Sequence, residues 1–137
     1  MKQTSQRFTL TKSERLKSRK LIEQLFREGK SFSNHPFKIL YLVAESGYAP
    51  LQSGFAVSKK NFKKAVDRNR IKRLIKEAYR LQKKALTGKL HHQKKFMTVF
   101  FIYTGNVLPK YEIVSEKIYV ALHRLEKIAD ENISPNS

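Results

Sequence analysis

The middle of the chain predicts one long amphipathic helix, and this helix limits the folds that the protein can adopt. Between residues 67 and 84, apolar side chains recur three or four positions apart, and mostly basic side chains fill the positions between them. This spacing is typical of a helix that buries one side against a second layer of structure. Gly88 is expected to help terminate the helix. The apolar positions are Ile71, Leu74, Ile75, Ala78 and Leu81.

Apolar, β-prone segments lie on both sides of this helix in the sequence. Residues 37–43 are apolar at odd and even positions alike, which predicts a strand that is covered on both faces. Residues 54–58 predict a short second strand that pairs with the first as a hairpin, and residues 97–103 predict a third. Because the helix separates the second and third strands, we expect a β-α-β unit with parallel pairing. Periodicity alone would make its crossover right-handed.

Two further helices are predicted nearer the ends of the chain. Residues 19–28 carry an apolar stripe, with Ser18 placed to cap the start and Gly29 to close the end. Pro109 suits the first turn of the last helix. Residues 1–9 are expected to be a mobile basic arm, and residues 132–137 a frayed tail. The length of the chain predicts a single domain over residues 1–137. The last helix has apolar positions at Ile113, Ile118, Ala121, Leu122, Leu125 and Ile128.

The charge of the chain indicates a polyanionic partner. There are 29 basic residues against 11 acidic ones, a formal net charge of +18. Residues 58–84 alone hold twelve basic and two acidic residues, a net charge of +10. Arg68, Lys72, Lys76 and Arg80 form a stripe four positions apart, and each like-charged pair costs about 0.2–0.5 kcal/mol of helix stability. A bound anion would offset that repulsion, whereas a face that serves solubility alone normally mixes both signs.

Membrane segments and disulfides are not expected. The first 20 residues contain no continuous apolar stretch, so neither a signal peptide nor a membrane anchor is predicted there. The longest apolar run, residues 97–103, is far shorter than the roughly 20 residues of a spanning helix. The chain has no cysteine, which suits a reducing compartment. We therefore expect a cytoplasmic protein without a membrane partner.

The sequence offers no protein active site. His91 and His92 are adjacent in a predicted lysine-flanked loop, where successive side chains point apart and make a poor acid-base pair. His35 and His123, like His91 and His92, are interpreted as loop histidines. The acidic residues are scattered, so carboxylates that could hold a pair of metal ions are not evident. No catalytic residue, metal site or protein-bound cofactor is predicted.

The order of residues around the basic helix carries a family resemblance. The run VSKK at positions 57–60, followed by AVDRNRIKRLIKEAYR at positions 65–80, closely resembles the RNR motif region of the ribonuclease P protein family. LFREGK at positions 25–30 is similar to the end of the family's first helix, and KILY at positions 38–41 to its first long strand. Ile22 departs from the family, which often has an aromatic residue there.

The resemblance implies both a fold and a function. The implied fold is a compact α/β (α+β) domain of the ribosomal protein S5 domain 2-like type. It has a central mixed β-sheet packed with three main helices and an unusual left-handed β-α-β crossover. The implied function is that of the RNA-binding protein subunit of ribonuclease P, an RNA-based endoribonuclease that removes the 5′ leader of precursor tRNA. Its partners would be the catalytic RNA and the precursor tRNA, and the RNA with its magnesium ions would perform the chemistry.

Two sets of site residues follow from the resemblance and from the residue types. The first set is expected to bind the catalytic RNA. It comprises Ser58, Lys59, Lys60, Lys64, Arg68, Asn69, Arg70, Lys72, Arg73, Lys76 and Arg80. The second set is expected to line a cleft between the first helix and the sheet that holds the leader, where aromatic rings could stack on unpaired bases. It comprises Phe26, Phe37, Ile39 and Tyr41. A core role explains the first three better than a ligand contact does, whereas the two roles explain Tyr41, with its polar tip, about equally well.

Three other functions share some of these features. A ribosomal or other structural RNA-binding protein would have the same charge and size, and only the motif at residues 58–80 favours ribonuclease P over it. A helix-turn-helix DNA reader is disfavoured because strands flank the basic helix, so DNA is not an expected partner. A protein nuclease would have to act without RNA.

Overall fold

A four-stranded sheet forms the centre of the protein in the computed structural model, which describes residues 11–131. Within that range four α-helices surround the sheet, and a short 3-10 turn at Lys12–Glu14 precedes them. Four helices are one more than the three predicted. In chain order the elements are α1 (Arg19–Glu28), β1 (Lys30–Asn34), β2 (Phe37–Ala44), β3 (Leu51–Val57), α2 (Ala65–Gln82), α3 (Lys84–Gln93), β4 (Phe96–Tyr103) and α4 (Tyr111–Glu131).

The sheet is mixed and its strands lie in the order β1-β2-β4-β3. β3 and β4 pair in parallel across the α2 and α3 connection, which confirms the predicted β-α-β unit. The predicted hairpin between β2 and β3 is wrong, because β4 lies between them and pairs antiparallel with β2. β4 is apolar except for Thr98 and therefore gains most from a central position that is covered on both faces. The hairpin partner of β2 is instead β1, which the sequence analysis did not predict.

Odd-numbered residues of β2 and β4 face the larger of two hydrophobic layers. Phe37 and Ile39 on β2 and Phe101 on β4 are buried there together with apolar residues of α2, α3 and α4. Even-numbered residues face a smaller layer, in which Leu40 packs with Leu25 of α1. The sheet is therefore covered on both sides, as the apolar run of residues 37–43 predicts.

The first helix has the predicted bounds and the predicted ends. The Ser18 side chain accepts a hydrogen bond from the backbone N–H of Leu21, and the N–H of Gly29 donates to the carbonyl of Leu25. Leu25 is fully buried, while Phe26 next to it is 52% exposed. Helix α1 therefore packs on the sheet through Leu25 and leaves the ring of Phe26 open to solvent.

The segment after α2 differs from the prediction. The chain turns at Lys83 and continues as α3, so His91 and His92 lie on a helix and not in a loop. Gly88 lies inside α3 and does not terminate α2, because the buried Leu86 and Leu90 hold this helix against the core. A mid-helix glycine costs about 1 kcal/mol relative to alanine, which tertiary packing offsets.

Helix α4 differs in charge from the rest of the chain. It contains five of the 11 acidic residues but only three lysines and arginines, so its formal charge is −2. Its buried residues pack against α2 on the apolar side of that helix. No helix within residues 11–131 is long and apolar enough to cross a membrane. The predicted arm at residues 1–9 and tail at 132–137 lie outside the described residues.

Candidate nucleic-acid interface

Helix α2 is fixed in orientation by its apolar side. Ile71, Ile75 and Ala78 are fully buried, and Tyr79 packs edge-on against Phe55 and Phe101 in the core. Burial raises the pKa of the Tyr79 hydroxyl, so this group stays protonated. Two of the predicted apolar positions contribute less, since Leu74 is half-buried and Leu81 is 42% exposed. The basic residues of α2 consequently lie on the side that faces solvent.

The structure brings the centre of the predicted basic stripe together on this solvent side. A concavity of about 450 Å³ on the surface of α2 is lined by Val66, Asn69, Lys72, Arg73 and Lys76. No acidic side chain lines this concavity among the described residues. Asn69, Arg73 and Lys76 are exposed and can donate hydrogen bonds to phosphate oxygens or base edges.

The Arg68 side chain forms hydrogen bonds within the protein, unlike the exposed basic side chains beside it. Its Nη1 atom donates hydrogen bonds to the backbone carbonyls of Phe62 and Lys63, both at 2.8 Å. Phe62 is buried in the main core, so this side chain ties the loop before α2 to the first turn of the helix. We infer that Arg68 shapes the loop that carries the exposed Lys59 and Lys60.

The remaining predicted RNA-binding residues differ in exposure and in whether they form ion pairs within the protein. Lys64 and Arg70 are exposed, and Ser58 is half-buried at the start of the loop. Arg80 is held in a two-point ion pair with Glu77, in which Nε and Nη2 each lie 2.9 Å from a carboxylate oxygen. The charge of Arg80 is therefore partly compensated before any RNA binds.

A second and larger concavity lies between α2 and the edge strand β3. We call it the basic groove; its volume is about 670 Å³. The described residues that line it include six basic side chains and one acidic side chain, and the ring of Phe55 contributes apolar surface. The groove is lined by Arg15, Leu16, Lys17, Ser53, Gly54, Phe55, Lys72, Arg73, Lys76, Glu77 and Arg80.

One wall of the basic groove was not predicted from the sequence. Arg15 and Lys17 come from the segment before α1, where no periodicity separates them from other basic residues. Gly54 was predicted as part of a strand but not as a groove residue. A Cβ atom at Gly54 would lie 2.5 Å from the Phe100 ring, so only glycine fits there without displacing that ring. The sequence does not show which strand lies beside Gly54, so its contact with Phe100 could not be predicted.

The four residues predicted to line a leader-binding cleft are not brought together. Phe37 and Ile39 are 2% and 0% exposed in the main core, and Tyr41 is half-buried on that same face. Phe26 lies on the opposite face of the sheet, where its ring meets Phe100 edge-on at 5.5 Å between centroids. Phe37 and Ile39 are therefore core residues, whereas Phe26 is open to solvent.

The α1 face of the sheet has a different set of side chains available. Phe100 and Ile102 on β4 are half-buried there, and Ile22 of α1 packs against the same layer. Lys38 on β2 is an exposed neighbour of Ile102 in the strand register. An exposed Phe26 ring beside apolar side chains and a lysine provides the kind of surface on which an unpaired nucleotide stacks.

Residues 11–131 contain no cluster of three or more histidine, aspartate or glutamate side chains placed to hold a metal ion. The acidic residues with shifted pKa values are engaged in ion pairs. Lys89 and Gln93 donate hydrogen bonds to Asp130 and hold the pKa of its carboxyl below the ordinary value. The residues of α3 and α4 at this contact thus stabilise each other.

Comparison with known proteins gives the family. The family model described as Ribonuclease P matches residues 10–126. A ribonuclease P protein component of Porphyromonas gingivalis is 38% identical over 119 residues, which cover 86% of this chain and 87% of that protein. One from Chlorobium phaeobacteroides is 34% identical over 128 residues, covering 85% and 88%. The solved RNase P protein of Thermotoga maritima has a TM-score of 0.64 and 28% identity, covering 81% of this chain and 96% of that one. The chain belongs to the ribonuclease P protein family.

Proposed function

We propose that this chain is the RNA-binding subunit of a ribonuclease P and that it binds the catalytic RNA through α2 and the basic groove. The observation that carries the proposal is the concentration of exposed cations around Arg73, which lines both concavities. Phosphates that approach this surface release counterions from the RNA, which favours binding. Nothing in the described residues favours a ribosomal role, and the family match removes the main reason to consider one.

The second part of the proposal concerns the substrate. The 5′ leader of precursor tRNA would lie against the α1 face of the sheet, on Phe26 and the half-buried Phe100, with Lys38 close to its phosphates. Base stacking on such a ring contributes about 1–3 kcal/mol per base and tolerates any sequence. This assignment replaces Phe37 and Ile39, which are buried, and Tyr41, which lies on the other face of the sheet.

The third part concerns the chemistry. Cleavage of the phosphodiester bond would be carried out by the catalytic RNA with its magnesium ions, and the protein would supply binding, charge neutralisation and substrate positioning. No cofactor of the protein itself is proposed. The holoenzyme would act in the cytoplasm, where tRNA precursors are made in bacteria.

Reconstitution tests the proposal. Precursor tRNA is incubated with the ribonuclease P RNA alone, with the protein alone and with both, over a range of magnesium concentrations. We expect cleavage at the mature 5′ end, with less magnesium required when the protein is present because its cations replace part of the ionic screening. Cleavage by the protein alone would identify a protein nuclease. An RNA activity that the protein leaves unchanged would refute the proposed role.

A further inference from the structure

The segment before α1 lies along the edge strand β3. The backbone N–H of Leu16 donates to the carbonyl of Ser53 at 2.9 Å, and the Leu16 side chain is buried. The Gln52 side chain donates to the carbonyl of Ser13 at 3.0 Å. These contacts place Arg15 and Lys17 across the basic groove from α2. The groove therefore has cations on two walls that are far apart in the sequence.

Glu14 anchors this segment to the end of α2. Its carboxylate forms an ion pair with Lys83, and the two side chains are only 15% and 10% exposed. The same carboxylate accepts hydrogen bonds from the backbone N–H and the hydroxyl of Thr11 at 2.8 and 3.0 Å. Burial opposes ionisation of Glu14, but the hydrogen bonds from Lys83 and Thr11 together hold its pKa below the ordinary value. Glu14 is thus a half-buried carboxylate with several hydrogen-bond partners next to the groove.

A carboxylate in this place is unexpected on charge alone. The chain carries a net charge of +18, and every acidic residue weakens its attraction to RNA. Glu14 also immediately precedes Arg15, which lines the groove. An acidic residue that only lowered the positive charge near the RNA would weaken RNA binding, whereas one that holds two cations in position can strengthen it.

We infer that Glu14 is a positioning residue for RNA binding, which fixes Arg15 and Lys17 as a second wall of the basic groove so that RNA phosphates are held from two sides. The inference rests on the proposed function, because it takes the catalytic RNA as the ligand of the groove. The physical reason is preorganisation. When the segment is already fixed before binding, the entropy cost of ordering Arg15 and Lys17 does not have to be met by the RNA contacts.

The test compares two variants that change the net charge equally. Glu14→Gln and Glu28→Gln each remove one negative charge, but Glu28 is exposed on α1 and pairs only with its neighbours Arg27 and Gln24 among the described contacts. Long-range electrostatics predicts that both substitutions strengthen RNA binding slightly. We expect Glu28→Gln to do so, and Glu14→Gln to weaken binding to the ribonuclease P RNA by roughly tenfold. The magnitude of the slope of log affinity against log salt concentration should decrease by about 1–2, which is about 1 for each phosphate contact that is lost.

A double-mutant cycle separates positioning from general loss of structure. The affinity cost of Glu14→Gln is measured again in an Arg15→Ala/Lys17→Ala background, where it should disappear because the wall it positions is gone. Circular dichroism confirms that each variant is folded at the assay temperature. Should Glu14→Gln unfold because Lys83 is left unpaired, Glu14→Gln/Lys83→Met removes both charges, and it is expected to show the same weakened binding and reduced salt slope.

The outcomes are distinct. Equal behaviour of Glu14→Gln and Glu28→Gln would overturn the inference, as would an undiminished cost of Glu14→Gln in the double-alanine background. In both cases the wild-type protein still binds the RNA and the proposed function stands. Failure of the wild-type protein to bind ribonuclease P RNA would instead refute the proposed function and the inference with it.

Discussion

Arg73 gives the most direct test of the proposed RNA-binding face. It is exposed and lines both the α2 concavity and the basic groove. Replacing it with alanine removes a bidentate donor to phosphate and leaves the buried side of α2 untouched. A hydrogen bond to a charged group contributes about 1.5–3 kcal/mol, so Arg73→Ala should weaken binding to ribonuclease P RNA by roughly 10- to 100-fold.

The salt dependence of binding supplies a second number. Ten basic side chains in the described part of the chain are available for phosphates around this surface: Arg15, Lys17, Lys59, Lys60, Lys63, Lys64, Arg70, Lys72, Arg73 and Lys76. With about 6–10 phosphate contacts, the affinity should fall by roughly 10³ to 10⁵ between 50 and 200 mM salt. Arg73→Ala should lower the magnitude of the log-log slope by about 1, since one contact is lost.

The assay is filter binding or fluorescence anisotropy with labelled ribonuclease P RNA at several salt concentrations. Lys127→Ala is the matched control, because Lys127 is an exposed cation on α4 and does not line the groove. Both substitutions lower the net charge by one. Equal, small losses in the two variants would show that binding follows total charge and that α2 has no special role. A flat salt profile of the wild-type protein would refute the electrostatic argument as a whole.

Three further predictions test other parts of the structure. Ile75→Ala should cost about 2–5 kcal/mol of unfolding free energy because Ile75 is fully buried, and Leu74→Ala should cost less, as measured by urea unfolding. Because the pKa of Glu14 is lower in the folded state, the ionised carboxylate stabilises the fold. This contribution is fully present above the unfolded-state pKa of about 4.5 and should be lost as the pH falls through the folded-state pKa. Glu14→Gln should abolish that part of the dependence of stability on pH. Phe26→Ala should weaken binding of precursor tRNA more than mature tRNA by the holoenzyme, whereas Tyr41→Ala should leave the ratio unchanged; the opposite pattern would return the leader to the other face of the sheet.

Local structure was largely predictable from the sequence, and long-range arrangement was not. The bounds of α1 follow from Ser18 and Gly29, and the periodicity of residues 67–84 located α2 to within about two residues at each end. The predicted strand order failed because β2, β3 and β4 are all largely apolar, and their sequences do not indicate which strand pairs with which. β1 is short and polar apart from Phe32, so its sequence resembles a loop.

The candidate site shows the same division. The periodicity of α2 correctly separated its basic side from its buried side. It could not show that Arg68 bonds to backbone carbonyls or that Arg80 pairs with Glu77, because those partners depend on side-chain geometry. The four residues predicted to line the leader cleft lie apart for a further reason. Alternation in β2 distinguishes two faces, but it does not indicate which face α1 covers, and α1 covers the even-numbered one.

The negative charge of α4 has a consequence for how the protein meets RNA. This helix packs on the apolar side of α2, so the −2 of α4 and the exposed cations of α2 lie on opposite sides of a small molecule. Such a separation produces an electric dipole moment in addition to the net charge. In the field of a polyanion such a dipole would turn the molecule before contact, so that α2 approaches first. With the RNA bound at α2 as proposed, productive collisions would be more frequent than random orientation allows, and α4 would face away from the RNA.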